Sequence, residues 1–295
     1  MVRMATKEYK IKILAVTSAR NEEKLIGKCI ESVLNQTIKP DHYVIVDDVS
    51  TDRTSDIIEK YINDDNVVCL KQYEGYHPRF KYFAYNLHRA YTNGINDGSY
   101  DLPDWDYLLK IDADCEIPPD YIEHIINKMD DDVGIASGHE NGRDTWKGRA
   151  YDGARIYRRE CWNDIGGLYK VVAWDTHAII NAYYKGWRVR TYPDISYKSH
   201  RSSSDRKLER WYLSGVGRYM MGLPLIHTIG VCALRFKNKP YLIGSIVMLA
   251  GHMVSMIKKK DKPFTNEYYE FARKFAFDEI RLRLRVRRKT LDFGG

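Results

Sequence analysis

Two pairs of carboxylates in the first half of the chain follow directly after short apolar runs. Asp112 and Asp114 end the run at residues 107–111, and Asp47 and Asp48 end an earlier one. Two carboxylates separated by one small residue supply the hard oxygen ligands that Mg²⁺ and Mn²⁺ prefer. Strand-end carboxylates also accept hydrogen bonds from nucleobase N–H groups or ribose hydroxyls. We therefore expect a divalent-cation site at Asp112 and Asp114, beside a second acidic turn.

Alternating apolar runs and amphipathic stretches must position these carboxylates. β-Branched-rich runs predict four strands, at residues 11–17, 43–46, 67–70 and 107–111. Apolar residues at helical spacing predict helices over 26–34, 57–62 and 122–129. This alternation implies right-handed crossovers and an α/β fold, with a mostly parallel sheet covered by helices on both faces. Because ligands bind beyond the carboxyl ends of parallel strands, the polar residues after three of these strands are expected to share one crevice.

The composition of the 295 residues excludes several classes of protein. Hydrophobic residues make up 44% and charged residues 29%, which excludes a disordered chain and a collagen-like fibre. The five cysteines are scattered, so neither a disulfide framework nor a structural zinc site is expected, and a reducing compartment fits. The first ten residues are polar and charged, and we expect no signal peptide.

The net charge of +7 is located in the C-terminal segment. Residues 258–289 contain 12 Lys or Arg and 5 Asp or Glu, whereas the preceding 17 residues, 241–257, contain none of these four types. An apolar run followed by a basic cluster is typical of attachment to membranes with anionic lipids. A helix of this length would measure about 25 Å, which is shorter than a hydrocarbon core of roughly 30 Å.

The favoured interpretation is that these helices lie in the membrane interface, or that residues 219–234 and 241–257 form a shallow hairpin. We accordingly expect the protein at the cytoplasmic face of the cell membrane. The alternative is a helical subdomain packed onto the catalytic part or onto a dimer partner, so a homodimer stays open. No nucleic-acid partner is expected, because the basic residues adjoin an uncharged run and the remaining chain has no basic excess.

Four motifs in order resemble those of the family 2 glycosyltransferases. TSARNEE at 17–23, followed by IESVLNQT at 30–37, resembles the opening of that family. VDDVSTDRT at 46–54 resembles its second motif, with Val49 where Gly is commoner. The other two are Asp112-Ala113-Asp114, which resembles the metal-binding Asp-x-Asp, and Gly166-Gly167 followed by Trp174-Asp175, which resembles the acceptor-site motif.

The resemblance implies a GT-A fold, a nucleotide-diphospho-sugar donor such as GDP-mannose or a UDP-hexose, and inversion at the anomeric carbon. The positions that it implies for donor binding are Thr17, Ala19, Asn21, Glu22, Asp47, Asp48, Asp112 and Ala113. Arg79 and Lys81 lie where relatives contact the donor. Asp112 and Asp114 would hold Mn²⁺ or Mg²⁺, and His200 fits the downstream histidine that closes the metal site in many relatives.

The resemblance also implies a general base. Asp175 occupies the position of the carboxylate that deprotonates the acceptor hydroxyl, with Gly166, Gly167 and Trp174 on the acceptor side. Trp174 replaces the acidic residue that precedes the base in the family. Its ring is either a platform that stacks on an acceptor sugar or a hydrophobic anchor.

The sequence therefore predicts an inverting, metal-dependent glycosyltransferase. Its catalytic domain would cover 1–205, with a nucleotide-sugar half up to about 115 and an acceptor half from 116, and a membrane-associating helical region would cover 206–295. Similar tails occur in family members that glycosylate lipid-linked acceptors, so a lipid-linked or glycan hydroxyl is expected. The alternatives are transfer to a polyprenyl phosphate, which is already ionised and needs no base, a nucleotidyltransferase, and an inactive membrane-bound scaffold.

Overall fold

A computed structural model describes residues 10–62, 66–71, 83–141, 148–201, 208–235 and 240–285, without the side chains of 83–85 and 282–285. Its strands are β1 (Ile13–Ala19), β2 (His42–Asp47), β3 (Val67–Lys71), β4 (Tyr107–Asp112), β5 (Cys115–Glu116), β6 (Val133–Glu140), β7 (Ala154–Arg158) and β8 (Arg188–Ser199). Its helices are α1 (Ile26–Leu34), α2 (Thr54–Glu59), α3 (Phe83–Asp101), α4 (Tyr121–Lys128), α5 (Arg159–Ile165), α6 (Trp174–Tyr184), α7 (Leu208–Met220), α8 (Leu225–Arg235), α9 (Tyr241–Ile257) and α10 (Asn266–Arg285).

The strands form one sheet in the order β3-β2-β1-β4-β7-β6-β8-β5. The first four in this order are parallel, and β6 also pairs in parallel with β8. β7 runs antiparallel to both of its neighbours, and the short β5 runs antiparallel to β8. The prediction of a mostly parallel sheet is confirmed.

Helices bury both faces of the sheet. Successive residues of a strand point to opposite faces, so Ile13 and Ala15 pack under α1 and α4, whereas Leu14 and Val16 pack under α3. Each face carries its own large apolar cluster, as expected for strands that are buried on both sides. The four predicted strands and the three predicted helices are present, with shifts of a few residues at their ends. The α3 helix has no counterpart among the predictions.

The C-terminal helices pack onto the catalytic part through α10 and α7. Tyr268 and Ala272 of α10 bury against Ile180 of α6, and Phe264 stacks on His177 with ring centroids 4.3 Å apart. The predicted hairpin over 219–234 begins later than expected, because Gly222 with a φ of 73° and Pro224 separate α7 from α8. The α9 helix then packs against both α7 and α8. The predicted domain boundary at 205 lies outside the described residues.

Among the described residues, no helix combines the length and the hydropathy that crossing a bilayer requires.

Candidate active site

The parallel strands β2, β1 and β4 bring three polar strand ends together. In the register of these strands, Ala19 pairs with Asp47 on one side, and Ser18 pairs with Asp112 on the other. The backbone N–H of Asp48 donates to the carbonyl of Ala19 at 2.8 Å, which extends the pairing into the loop. Neighbouring strands lie about 4.8 Å apart, so the two acidic strand ends are separated by only the β1 strand.

Three of the predicted donor-site residues turn their side chains into the core. Thr17 is fully buried, and its Oγ1 shares a 2.8 Å hydrogen bond with the hydroxyl of Tyr43. The methyl groups of Ala19 and Ala113 are also buried. These three side chains therefore pack against the protein, and the contact of these residues with a donor stays a prediction.

The loops after β1 and β2 are joined by hydrogen bonds around Asn21. Its Oδ1 accepts from the backbone N–H of Thr51 at 2.8 Å, and its own N–H donates to Oγ of Ser50 at 3.0 Å. Asn21 has a φ of 53° and Val49 has a φ of 58°. Asn tolerates this left-handed conformation, but a β-branched residue is strained in it. The position where the family more often has glycine is thus one where the backbone favours glycine.

Asp47 and Asp48 are both buried and hydrogen-bonded. Asp47 accepts from the backbone N–H of Ser50 at 3.1 Å, and Asp48 Oδ1 accepts from the Arg89 guanidinium at 2.8 Å. Arg20 donates to the carbonyl oxygen of Asp48 at 2.7 Å. Burial raises the pKa of Asp48, and Arg89 opposes that rise. The second acidic turn is therefore held in one conformation by two arginines, one of them from the unpredicted helix α3.

Asp112, Asp114 and Cys115 bring possible metal-ligand atoms within 4.8 Å of one another. The Cys115 Sγ donates to Oδ1 of Asp114 at 3.7 Å, and burial strongly raises the pKa of this thiol. A protonated thiol is a poor ligand for a hard cation, whereas the two carboxylates suit Mg²⁺ or Mn²⁺. The donor set thus fits the predicted cation at Asp112 and Asp114.

A buried lysine that the sequence analysis did not single out supports Asp112. Lys110 of β4 is 0% exposed, and its Nζ donates to Oδ1 of Asp112 and to Oδ2 of Asp152, both at 2.8 Å. The hydroxyl of Tyr91 on α3 donates to the same Asp112 oxygen at 2.7 Å. One oxygen of Asp112 is thus committed to the protein interior, while Oδ2 of that carboxylate receives neither of these bonds.

The protonation states of this cluster follow from burial and pairing. Burial disfavours the ammonium form of Lys110, but Asp112 and Asp152 outweigh it, so the pKa of Lys110 is raised. For Asp152, Lys110 and Arg155 outweigh burial and lower the pKa. For Asp112, burial together with the charges of Asp152 and Asp114 outweighs Lys110 and raises the pKa. A divalent cation bound beside Asp112 would favour the ionised form of this carboxylate.

The same network extends to the helix that carries Asp175. Arg155 of β7 is buried, lies 3.3 Å from Oδ1 of Asp152, and donates to the backbone carbonyl of Asp175 at 3.1 Å. Asp175 is half-buried in the first turn of α6, as the sequence predicted for a helix start. A chain of direct contacts, through Lys110, Asp152 and Arg155, therefore connects Asp112 with the backbone of the candidate base.

Trp174 is a hydrophobic anchor of this region. It is 3% exposed and packs 6.0 Å from the ring of Tyr91, and Lys110 Nζ lies 5.2 Å from its ring centroid. A ring in this position does not present a face to an acceptor sugar. Of the two interpretations of Trp174 that the sequence left open, the structure supports the anchor.

The paired glycines end helix α5. Gly166 and Gly167 have φ values of 70° and 72°, and the N–H of Gly166 donates to the carbonyl of Asn163 at 3.1 Å. Left-handed residues at this position close a helix and redirect the chain, here toward α6. Their observed role is therefore in the backbone turn, and their contact with an acceptor stays a prediction.

His200 lies beside the carboxylate pair but faces a different acid. Its backbone N–H donates to the carbonyl of Asp114 at 2.9 Å, and its Nε2 lies 2.9 Å from Oε2 of Glu116. Within the described residues, His200 is not part of the group whose ligand atoms lie within 4.8 Å. To act as the predicted metal ligand, the His200 ring would have to give up its contact with Glu116 and turn toward the cation.

Arg201 closes the site from the end of β8. Its guanidinium pairs with the buried Glu22 in the loop after β1 and lies 4.0 Å from Oδ2 of Asp114. Burial raises the pKa of Glu22, and Arg201 opposes that rise. The Arg201 guanidinium therefore lies between the loop after β1 and the carboxylate pair. The two predicted donor-contacting cations, Arg79 and Lys81, lie outside the described residues.

The sheet order, with a carboxylate pair at the end of β4, is that of the GT-A fold class. The chain belongs to glycosyl transferase family 2, whose family model matches residues 15–187.

Curated relatives are also glycosyltransferases by name. The glycosyltransferase GlyA of Streptococcus pneumoniae is 22% identical over 213 residues, covering 68% of this chain and 27% of that protein. EpsH of Bacillus subtilis is 29% identical over 140 residues, covering 47% of this chain and 37% of that protein. The chain thus spans between about a quarter and two fifths of the length of these relatives.

Solved structures share the fold. The mannosyltransferase PcManGT from Pyrobaculum calidifontis, in complex with GDP-Man and Mn²⁺, superposes with a TM-score of 0.57 at 16% identity, covering 92% of this chain and 81% of that chain. TarS from S. aureus, in complex with UDP, superposes with a TM-score of 0.50 at 17% identity, covering 84% of this chain and 72% of that chain.

Proposed function

We propose that this protein is an inverting glycosyltransferase that moves a sugar from a nucleotide-diphospho-sugar to an acceptor hydroxyl. The proposal rests on one observation: a network of buried contacts connects the Asp112–Asp114 pair with the backbone of Asp175. Such a network holds two functional groups from distant parts of the sequence in a preorganised geometry, which is what transfer between two bound substrates requires.

The donor would lie across the carboxyl ends of β1, β2 and β4. The Asp47–Asp48 turn would accept hydrogen bonds from the nucleoside, and the guanidinium of Arg201 would leave Glu22 to pair with the diphosphate. Asp112 and Asp114 would hold the divalent cation, which supplies charge neutralisation for the departing diphosphate when it is bound.

The chemical step would proceed by displacement at the anomeric carbon. The acceptor oxygen forms a bond to this carbon as the bond to the diphosphate oxygen breaks, and the nucleoside diphosphate leaves with the electron pair. The carboxylate of Asp175 takes the hydroxyl proton. Asp175 lies in the first turn of α6.

A thermal-shift screen of nucleotide-sugars with Mn²⁺ tests donor binding. A donor present at a hundred times its Kd stabilises the fold by about 2.7 kcal/mol through mass action, enough to raise the Tm by several degrees. We expect a selective rise with one or a few donors, including GDP-mannose or a UDP-hexose. The rise should disappear in Asp114→Asn and persist in the control Asp104→Asn, because Asp104 precedes the start of β4, at the opposite end of the strand from Asp112.

A second candidate is transfer to a polyprenyl phosphate. The contact of the C-terminal helices with the start of α6, where the Cβ of Ala173 lies close to Gly217, favours a lipid-linked acceptor. A phosphate oxygen is already ionised and needs no base. Asp175→Asn should therefore lower transfer to a hydroxyl by 10²–10⁴-fold, roughly, but leave transfer to a phosphate nearly unchanged.

A further inference from the structure

Apart from Met248, the buried residues of helix α9 are polar or small, and most of its large apolar residues are exposed. The buried positions are Gly244, Ser245, Met248, Gly251, His252 and Ser255. The exposed large apolar positions are Tyr241, Leu242, Ile243, Ile246, Met253, Met256 and Ile257. Four of this second set, Leu242, Ile246, Met253 and Ile257, recur at i, i+4, i+11 and i+15, so they form one stripe along the helix. This distribution is the reverse of that of a helix on a water-facing protein surface.

The buried side of α9 is packed by close backbone approach and by hydrogen bonds. A Cβ at Gly215 of α7 would overlap the carbonyl oxygen of Met248, and one at Gly251 would overlap that of Tyr212. His252 Nδ1 shares a 2.9 Å hydrogen bond with Oγ1 of Thr228 on α8. Small residues and interhelical hydrogen bonds hold helices together where burial of apolar side chains cannot, because the surroundings are themselves apolar.

Helix α8, which packs against α9, also exposes large apolar residues, and a cluster of cations follows α9 along the chain. Ile226, Ile229 and Leu234 of α8 are exposed. Lys258, Lys259 and Lys260 follow directly after α9 and are also exposed. An apolar face rimmed by lysines matches the acyl boundary and the anionic headgroups of a lipid surface.

We propose that the stripe of α9, together with Ile226, Ile229 and Leu234, binds the surface of a bilayer that contains anionic lipids. We name this set the α8–α9 apolar face. The helix lies along the surface, with its apolar side at the acyl boundary and Lys258–Lys260 at the headgroups. Its 17 residues are too few to reach across the hydrocarbon core at 1.5 Å per residue.

This docking deepens the proposed function, on which its consequence for the acceptor rests. Gly217 on α7 packs directly against Ala173, and the next two residues along the chain are Trp174 and Asp175. The start of α6, the helix that carries the candidate base, therefore packs against α7, and α7 packs against α9, the helix proposed to bind the membrane. An acceptor anchored in the bilayer would reach Asp175 from that side.

Vesicle flotation of the full chain tests the proposal. Vesicles of phosphatidylcholine alone are compared with vesicles of phosphatidylcholine and phosphatidylglycerol, in buffer without detergent. We expect the protein to float with the anionic vesicles and to be released in part by high salt. Ile243→Glu/Ile246→Glu should abolish flotation, whereas the control Ile62→Glu/Tyr100→Glu, which adds the same charges at exposed apolar positions of the catalytic part, should not.

A second variant keeps the test valid if the paired glutamates prevent folding. Lys258→Gln/Lys259→Gln/Lys260→Gln leaves the apolar face intact and should weaken binding to anionic vesicles about a hundredfold, from about 1 kcal/mol per basic residue. Asp114→Asn, in contrast, should float like the unmodified protein, which separates failure of membrane docking from failure of the proposed activity.

The proposal is overturned if the unmodified protein stays at the bottom of the gradient with every vesicle composition. It is also overturned if Ile243→Glu/Ile246→Glu floats as well as its control. A dimer in solution that is dissociated by these glutamates, without any flotation of the unmodified protein, would assign the same face to a second copy of the chain.

Discussion

The Nζ of Lys110 lies 2.8 Å from Oδ1 of Asp112, and the lysine is completely buried. This pair joins the carboxylate that would hold a cation to the interior of the sheet. Asp152 shares the ammonium, and Trp174 packs over it. The lysine thus lies at the centre of the cluster that links the end of β4 with the start of α6.

Removal of the ammonium should destabilise the fold strongly. Lys110→Met removes the ammonium that the partly exposed carboxylates of Asp112 and Asp152 share, and we expect a loss of about 2–3 kcal/mol in the free energy of unfolding. Urea denaturation at neutral pH measures it. The matched control is Lys12→Met, which removes an exposed pair with Asp104 and should cost at most about 1 kcal/mol. Equal losses in the two variants would contradict the assigned role of Lys110.

Relief of backbone strain at Val49 should stabilise the protein. Its φ of 58° is unfavourable for a β-branched residue, and glycine adopts it without strain. Val49→Gly is expected to raise the free energy of unfolding by about 1 kcal/mol. Val49→Ala keeps a Cβ in the left-handed conformation and should give a clearly smaller increase in the free energy of unfolding. A loss of stability in the glycine variant alone would show that the Val49 side chain matters more than its backbone.

The strands and their acidic ends were predictable because each one is encoded locally. The change from apolar residues to Asp47-Asp48, or to Asp112-Ala113-Asp114, marks where each strand ends. Parallel pairing with β1 then brings the two strand ends together. Strand alternation alone did not show that the hydroxyl of Thr17 would bond to Tyr43 in the core, and the contact of Thr17 with a donor stays a prediction.

The network behind Asp112 was not predictable in the same way. A lysine within the apolar strand β4 signals that a buried counter-charge exists, but its partner Asp152 is 42 residues away. Lys110 reaches Asp152 because the antiparallel register of β4 and β7 pairs Lys110 with Arg155. No local sequence pattern specifies this register. Helix α3, which supplies Tyr91 and Arg89, was missed because polar residues dominate its sequence and weaken its apolar periodicity.

Acid should destabilise the protein through His177. Burial lowers the pKa of His177 to about 4, below its usual 6.5, so the unfolded chain binds the proton more readily. The stability from the neutral ring is present above pH 6.5 and is lost as the pH falls toward 4. Between pH 7.5 and pH 5, the unmodified protein should lose about 2 kcal/mol more than His177→Phe, which retains the stacking on Phe264. Parallel pH profiles of unfolding for the two proteins would contradict this assignment.

Two glycines of the helical group should respond oppositely to alanine. At Gly215 a Cβ would overlap the Met248 carbonyl, so Gly215→Ala should cost about 1–3 kcal/mol by forcing α7 away from α9. At Gly230, in the interior of α8, a Cβ meets no described atom within 4 Å. Gly230→Ala should therefore stabilise the helix by up to about 1 kcal/mol. Thermal unfolding of both variants measures the contrast, and stabilisation by Gly215→Ala would refute the close packing of α7 on α9.

The most direct test of the glycosyltransferase assignment is the product released from a nucleotide-sugar in the presence of Mn²⁺. The proposed chemistry predicts that the unmodified protein releases a nucleoside diphosphate, and that Asp114→Asn reduces the rate by roughly 10³-fold or more, because charge stabilisation of the leaving group is lost. Release of pyrophosphate instead, or an equal rate in the Asp114→Asn variant, would contradict the assignment of this site to glycosyl transfer.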